Sequence, residues 1–174
     1  MTDMSGMTPD STQPAPPALP ISQHLREHPF LLGLQSEYLD MLAIHARVVS
    51  FAPGAYLLSE RQAASVFYLI EEGRVALETH GAARGRLMIE TVEAGECLGW
   101  SWLFPPYKWH FSGRAIDTVR AIVLDGVRTR EQCESNHSFG YEVMKRICGV
   151  VIARLQATRL GLLDIYGEGK RDGI

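Results

Sequence analysis

Between Val48 and Asp125 the chain is cut into short apolar runs roughly ten residues apart, each closed by glycine, proline or charged residues. Val48 to Phe51 is followed by the turn pair Pro53-Gly54, which sets up a second short strand from Tyr56 to Ser59. Val66-Phe67-Tyr68-Leu69-Ile70 ends in Glu71-Glu72-Gly73, where Gly73 suits a hairpin turn of positive φ. Arg74 to Thr79 alternates, His80 to Gly85 reads as a longer hairpin loop, and Leu87 to Val92 is the next strand. Arg114 to Asp117 and Val119 to Asp125 complete the set. The expected class is α+β, mainly β: an antiparallel β-roll or jelly-roll barrel with N-terminal helices and a long C-terminal helix.

Flanking segments change period. Residues 1–20 are rich in Pro, Ser and Thr and read as a disordered arm. Ile21 to Val48 predicts two short helices joined at Gly33-Leu34, with Ser36 as an N-cap. Arg128 to Glu134 is a short helix, and Ser138 opens a long one with a stripe through Phe139, Val143, Ile147, Val151, Leu155 and Leu162. Its further apolar residues are too many for one solvated face, so the helix is expected to pack on its own barrel and on a second copy. The alternative is one wide face covered by the barrel and the N-terminal helices. A domain over residues 21–166 and a flexible tail over 167–174 follow.

Gly95 to Ala115 concentrates bulk and backbone freedom, holding all three tryptophans, Trp100, Trp102 and Trp109. The Gly95-Glu96 turn, with Gly99 four residues after Gly95, lets backbone approach a guest and offers N–H groups to an anion. The aromatics admit three roles: plug of a barrel end, pocket wall, or contact surface for a protein.

A net charge of -3 argues against a dedicated nucleic-acid binder, because neutralising phosphates needs a basic face. Cys97, Cys133 and Cys148 lack zinc-site spacing, which fits reduced thiols in a cytoplasmic protein. Neither a membrane span nor a signal peptide is expected.

Pro53-Gly54, the run Phe67 to Gly73, Gly95-Glu96-Cys97-Leu98-Gly99 and Arg114-Ala115, in that order and spacing, resemble the cyclic-nucleotide-binding domain family. The resemblance covers about residues 30 to 165 and extends to the effector half of the catabolite-activator type of bacterial regulator, whose long helix makes a dimer. It implies a non-enzymatic bacterial sensor, with residues 95 to 115 as the phosphate-binding cassette. Such regulators continue into a helix-turn-helix domain, whereas the sequence stops at Ile174, so no nucleic-acid binding of its own is expected.

The resemblance also implies a Glu for the ribose and an Arg followed by Ser or Thr for the cyclic phosphate. Counting forward from Gly95, these fall on Trp100, His110 and Phe111. Counting back from Arg114, the Arg falls on Trp109 and the Ser or Thr on His110. Both counts lose the arginine. One charge-assisted bond is worth about 1.5–3 kcal/mol, so its loss weakens phosphate binding roughly ten- to 150-fold.

Candidate ligand-binding residues are Gly95, Glu96, Leu98, Gly99, Trp100, Ser101, Trp102, Lys108, Trp109, His110 and Arg114. Lys108 and His110 offer point charges, and Arg114 requires a local realignment. Three ligand readings stay open: ordinary cyclic AMP or cyclic GMP, another small anionic or planar ligand held by the tryptophans, or no ligand in a protein-interaction subunit. His24 and His28 read as a solvated pair rather than metal ligands, since Pro29 disfavours helix at His28. No His-x-His, nucleophile–base pair or Walker loop occurs, so no catalytic residues, metal or certain cofactor are assigned.

Overall fold

The structure is a computed structural model that describes residues 19–81 and 85–168. It has α1 (Ile21–Glu27), a 3-10 turn (Pro29–Leu31) and α2 (Ser36–Ala43). Eight strands follow: β1 (Ala46–Phe51), β2 (Tyr56–Leu58), β3 (Val66–Glu72), β4 (Val75–Gly81), β5 (Gly85–Val92), β6 (Cys97–Leu98), β7 (Ser112–Ala115) and β8 (Val119–Asp125). α3 (Gly126–Ser135) and α4 (His137–Glu168) close the chain.

Two antiparallel sheets, ordered β1-β8-β3-β6 and β2-β7-β4-β5, form the roll. β8 lies between β1 and β3, pairing Val48 with Ile122 and Phe67 with Leu124. That central place explains its nearly continuous apolar run: Ala121, Ile122, Val123 and Leu124 are all buried. The mainly β class with helices at both ends is therefore as expected.

Four boundaries differ from the sequence reading. The helical stretch ends at Ala43 and β1 begins at Ala46, not Val48. Ser36 is the first residue of α2 rather than its cap; Gln35 precedes it with no side-chain capping bond. Gly73 does have positive φ, at 82°, but β3 and β4 belong to different sheets. The turn passes the chain from one sheet to the other instead of closing a hairpin. His80, Gly81 and Gly85 of the expected 80–85 loop are strand, since β4 runs to Gly81 and β5 starts at Gly85, while residues 82–84 lie outside the described residues. So do residues 1–18 of the expected arm and 169–174 of the expected tail.

Phe139, Val143 and Ile147 of α4 are buried in the core, with the Phe139 ring 5.2 Å from that of Tyr38 in α2. Burying each such side chain stabilises the docked helix by about 1.5–3 kcal/mol. Past Ile147 the same stripe emerges, leaving Val151 and Leu155 exposed. Asp125 accepts the Arg128 N–H at 3.0 Å and caps α3; Asn136 does the same for α4 through Phe139 at 3.1 Å. Each cap is worth about 1 kcal/mol.

Candidate functional site

The site begins where β6, only two residues long, leaves the sheet. Gly95 donates to the Ile70 carbonyl at 2.7 Å and Ile70 donates to Glu96 at 2.9 Å. After Leu98 the chain swings out at Gly99, whose φ of 86° suits glycine. It returns along the β2–β3 connection. Ala64 donates to the Tyr107 carbonyl at 2.8 Å, Trp109 to Gln62 at 3.0 Å, and Arg61 to Trp109 at 2.8 Å. The Ser112 hydroxyl accepts the Glu60 N–H at 3.0 Å. Peptide groups thus fix the loop on both sides of Trp109.

The three tryptophans have different jobs. Trp102 is fully buried, stacked 4.8 Å from Phe67 and pressed on Gly126, with its indole N–H lacking a hydrogen-bond partner. Its carbonyl accepts from Arg130, whose guanidinium lies 4.1 Å over the Tyr107 ring. Trp102 is a plug and does not line the hollow. Trp109 is 6 % exposed and lies inside the roll against Gly99. Trp100 is half-buried at the mouth, stacked with His110 at 6.3 Å.

Around Trp109 the hollow has apolar walls from Leu58, Leu77 and Leu98. Gly99, Trp100, Ser101, His110, Phe111 and Arg154 form its mouth. The free space is only about 30 Å³, enough for a water or two. Among the expected site residues, Leu98, Gly99, Trp100, Ser101, Trp109 and His110 converge here. His110 Nδ1 sits 3.2 Å from the Ser101 hydroxyl.

The others lie elsewhere. Gly95 and Glu96 border a separate groove along α4, and Glu96 accepts its neighbour Glu93's N–H at 2.6 Å. Lys108 is exposed, its backbone bridged to Ala63. Arg114, on β7, is held by buried Glu78 on β4, Nε to Oε1 at 3.0 Å, which raises the guanidinium's pKa further. It has no part in the hollow. Leu58, Leu77 and Arg154 were not picked out from sequence, and Phe111 only as the position on which the resemblance places a Ser or Thr. Only the wide apolar pattern of α4 hinted that the helix would pack on the roll.

The histidine pair is not solvated as expected. His28 is buried, with Nδ1 accepting the Phe30 N–H at 3.2 Å and Nε2 donating to Ile70 O at 3.0 Å. Burial lowers its pKa, with the Ile70 bond and the Glu71 charge opposing. His24 instead pairs with Glu71. Among the described residues no group of His, Cys, Asp and Glu is placed to hold a metal ion, and no helix is long and apolar enough to cross a membrane.

A model of the cyclic nucleotide-binding domain matches residues 48–136. A protein from Geobacter metallireducens GS-15, described as a cyclic nucleotide-binding protein, is 30% identical over 77% of this chain and 97% of its own, with a TM-score of 0.70. The catabolite activator protein of Thermus thermophilus has the same fold at 19% identity, 80% and 63% coverage and a TM-score of 0.60. A cAMP-binding acyltransferase from Mycobacterium smegmatis is 26% identical over 60% of this chain and 32% of that one, with a TM-score of 0.53. No curated protein sequence matches.

Proposed function

The chain belongs to the cyclic nucleotide-binding domain family, and on that premise we propose that it is a non-catalytic sensor module whose ligand is not ordinary cyclic AMP or cyclic GMP. The observation that carries this reading is the content of the hollow. Trp109 lines it, and the family resemblance places its Glu on Trp100 and its Arg and Ser or Thr on His110 and Phe111 by the forward count, or on Trp109 and His110 by the count back from Arg114. A cyclic phosphate entering there meets no cassette guanidinium, and Arg114 is engaged by Glu78. The ligand this lining favours is smaller, more planar and less charged than a nucleotide.

Output runs through α4 in this reading. Exposed Tyr141, Met144, Val151, Ile152 and Leu155 leave an apolar seam on the helix, which suits a homodimer in a soluble bacterial regulator. Occupancy of the hollow shifts how α4 packs, and the dimer reports it.

A second reading, a protein-interaction subunit using the roll without a ligand, is favoured by one observation: the hollow's free space of about 30 Å³. Against it, Trp102 and Trp109 face inward instead of forming an exposed patch. Calorimetric titration with cyclic AMP and cyclic GMP at millimolar concentration tests the main reading. No heat of binding is expected; saturable binding of either nucleotide overturns it.

A further inference from the structure

His28 is buried, and its two partners hold the neutral ring in one tautomer. The Ile70 carbonyl can only accept, so Nε2, 3.0 Å away, carries the hydrogen. The Phe30 N–H can only donate, so Nδ1, at 3.2 Å, carries none. That second bond caps the 3-10 turn Pro29–Leu31. A further proton enters the ring only at Nδ1, where it meets the Phe30 N–H donor to donor. The ring then keeps its bond to β3 while the turn loses its cap.

The turn is a junction. Pro29 packs on Gly95, where a Cβ would lie 3.2 Å from Pro29 Cγ. Gly95 also donates, at 2.7 Å, to the same Ile70 carbonyl that holds His28. On the other side Arg146 of α4 donates Nη2 to the Leu32 carbonyl at 3.1 Å, and Phe30 borders the groove along α4 with Gly149 and Val150. Movement of Phe30 to Leu32 therefore acts on the root of the glycine loop and on α4 together.

His28 lines a second groove, of about 390 Å³, with His24, Glu27, Glu71 and Arg120, which gives a proton its route. Glu71 of β3 attracts a charged ring, but its oxygens already hold His24 of α1 and, at 3.1 Å, Arg120 of β8. Arg120 also reaches Glu72 at 2.8 Å, Glu27 accepts from Gln23 at 2.9 Å, and Glu96 accepts the Glu93 N–H. Burial and the lost cap oppose the charged ring, so the change falls on the acid side of neutrality.

We propose that His28 is a proton-operated latch between the N-terminal turn and the roll, and that protonation at Nδ1 loosens Phe30 to Leu32 and, through Arg146, α4. The inference goes beyond the sensor reading and holds whether or not the hollow takes a ligand.

The test is an NMR titration of the isotope-labelled full chain from pH 7.5 to 4.5. Ring-nitrogen shifts are expected to report the Nε2–H form of neutral His28; the opposite tautomer overturns the inference. As pH falls, the amide resonances of Phe30, Leu32, Gly95 and Arg146 are expected to shift with one midpoint, that of the ring, below the ordinary 6.5. Those of Ile122 and Val123 in β8 should stay in place. In His28→Asn, whose side-chain oxygen can still accept from Phe30, the shifts should be lost. Shifts that persist in the variant belong to His24 and Glu71 and overturn the inference, as does a Phe30 midpoint different from the ring's or a ring still neutral at pH 4.5. Movement of β8 in step with the turn overturns it too, because the proton then acts through global unfolding. A Phe30 amide that follows the ring while Arg146 does not overturns the link to α4. Should His28→Asn not fold, agreement or disagreement of the ring and amide midpoints in the full chain decides between latch and no latch.

Discussion

Trp109 rests directly on Gly99: a Cβ built on the glycine would lie 2.7 Å from Trp109 Cζ3, inside any real contact distance. With φ at 86°, the position excludes a side chain on backbone grounds as well. Gly99→Ala is therefore expected to cost about 1–3 kcal/mol, from backbone strain and overpacking together. Urea unfolding measures it. In a Trp109→Leu background the clash is relieved and only the backbone part should remain; an unchanged cost would contradict the contact.

Arg114 and Glu78 act as a structural pair between β7 and β4. Glu78 is nearly enclosed and its Oε2, 3.9 Å from the Arg86 guanidinium, has no hydrogen-bond partner, so removing Arg114 takes away the cation that hydrogen-bonds this buried carboxylate and leaves only the more distant Arg86. Arg114→Met should lower the melting temperature, and Glu78→Leu introduced into that variant should restore much of it. No recovery in the double variant would contradict the pairing.

His28 makes stability depend on pH with a definite sign. Burial lowers its folded-state pKa below the ordinary 6.5, so the unfolded chain takes up the proton first. Its contribution is full above about pH 6.5 and is lost as pH falls from there through the folded-state value. Unfolding midpoints between pH 7.5 and 5 should decline, and His28→Asn should flatten that decline. An identical slope in the variant would assign it to other groups.

The cysteines divide by burial. Desolvation pushes the Cys97 thiol up to about 12 and Cys133 up to about 11, so both should resist a thiol reagent at pH 8 until the protein unfolds. Cys148 is exposed on α4 between Met144 and Ile152. If α4 forms the dimer, its labelling rate should fall as protein concentration rises. A concentration-independent rate would place the dimer contact elsewhere.

Hydrophobic period carried most of the fold into the sequence. β8 was legible in full because its apolar run Ala121 to Leu124 is bounded by Arg120 and Asp125. Gly73 was legible as a positive-φ turn, but its destination was not: whether a strand pairs with its neighbour or crosses to another sheet depends on long-range partners such as Ala115 and Val92. That the stretch after Gly95 would gather in one place was legible, since Gly99, Trp100, Ser101, Trp109 and His110 line one hollow. The division of labour between a plugging Trp102 and a lining Trp109 was not, because both have the same side chain and only their neighbours, Gly126 and Gly99, distinguish them. Arg154 escaped notice because a charged residue on a long helix ordinarily faces solvent, and only tertiary docking turns it toward Cys97.

The return loop is stitched to residues 60–64 chiefly by peptide groups, a mode of attachment indifferent to which side chains the loop bears. Its aromatic cargo is therefore exchangeable while the frame persists. Rewriting Trp100 as Glu, Trp109 as a small residue, His110 as Arg and Phe111 as Ser should convert this recess into one that captures a cyclic nucleotide, detectable by calorimetry as binding absent from the parent protein.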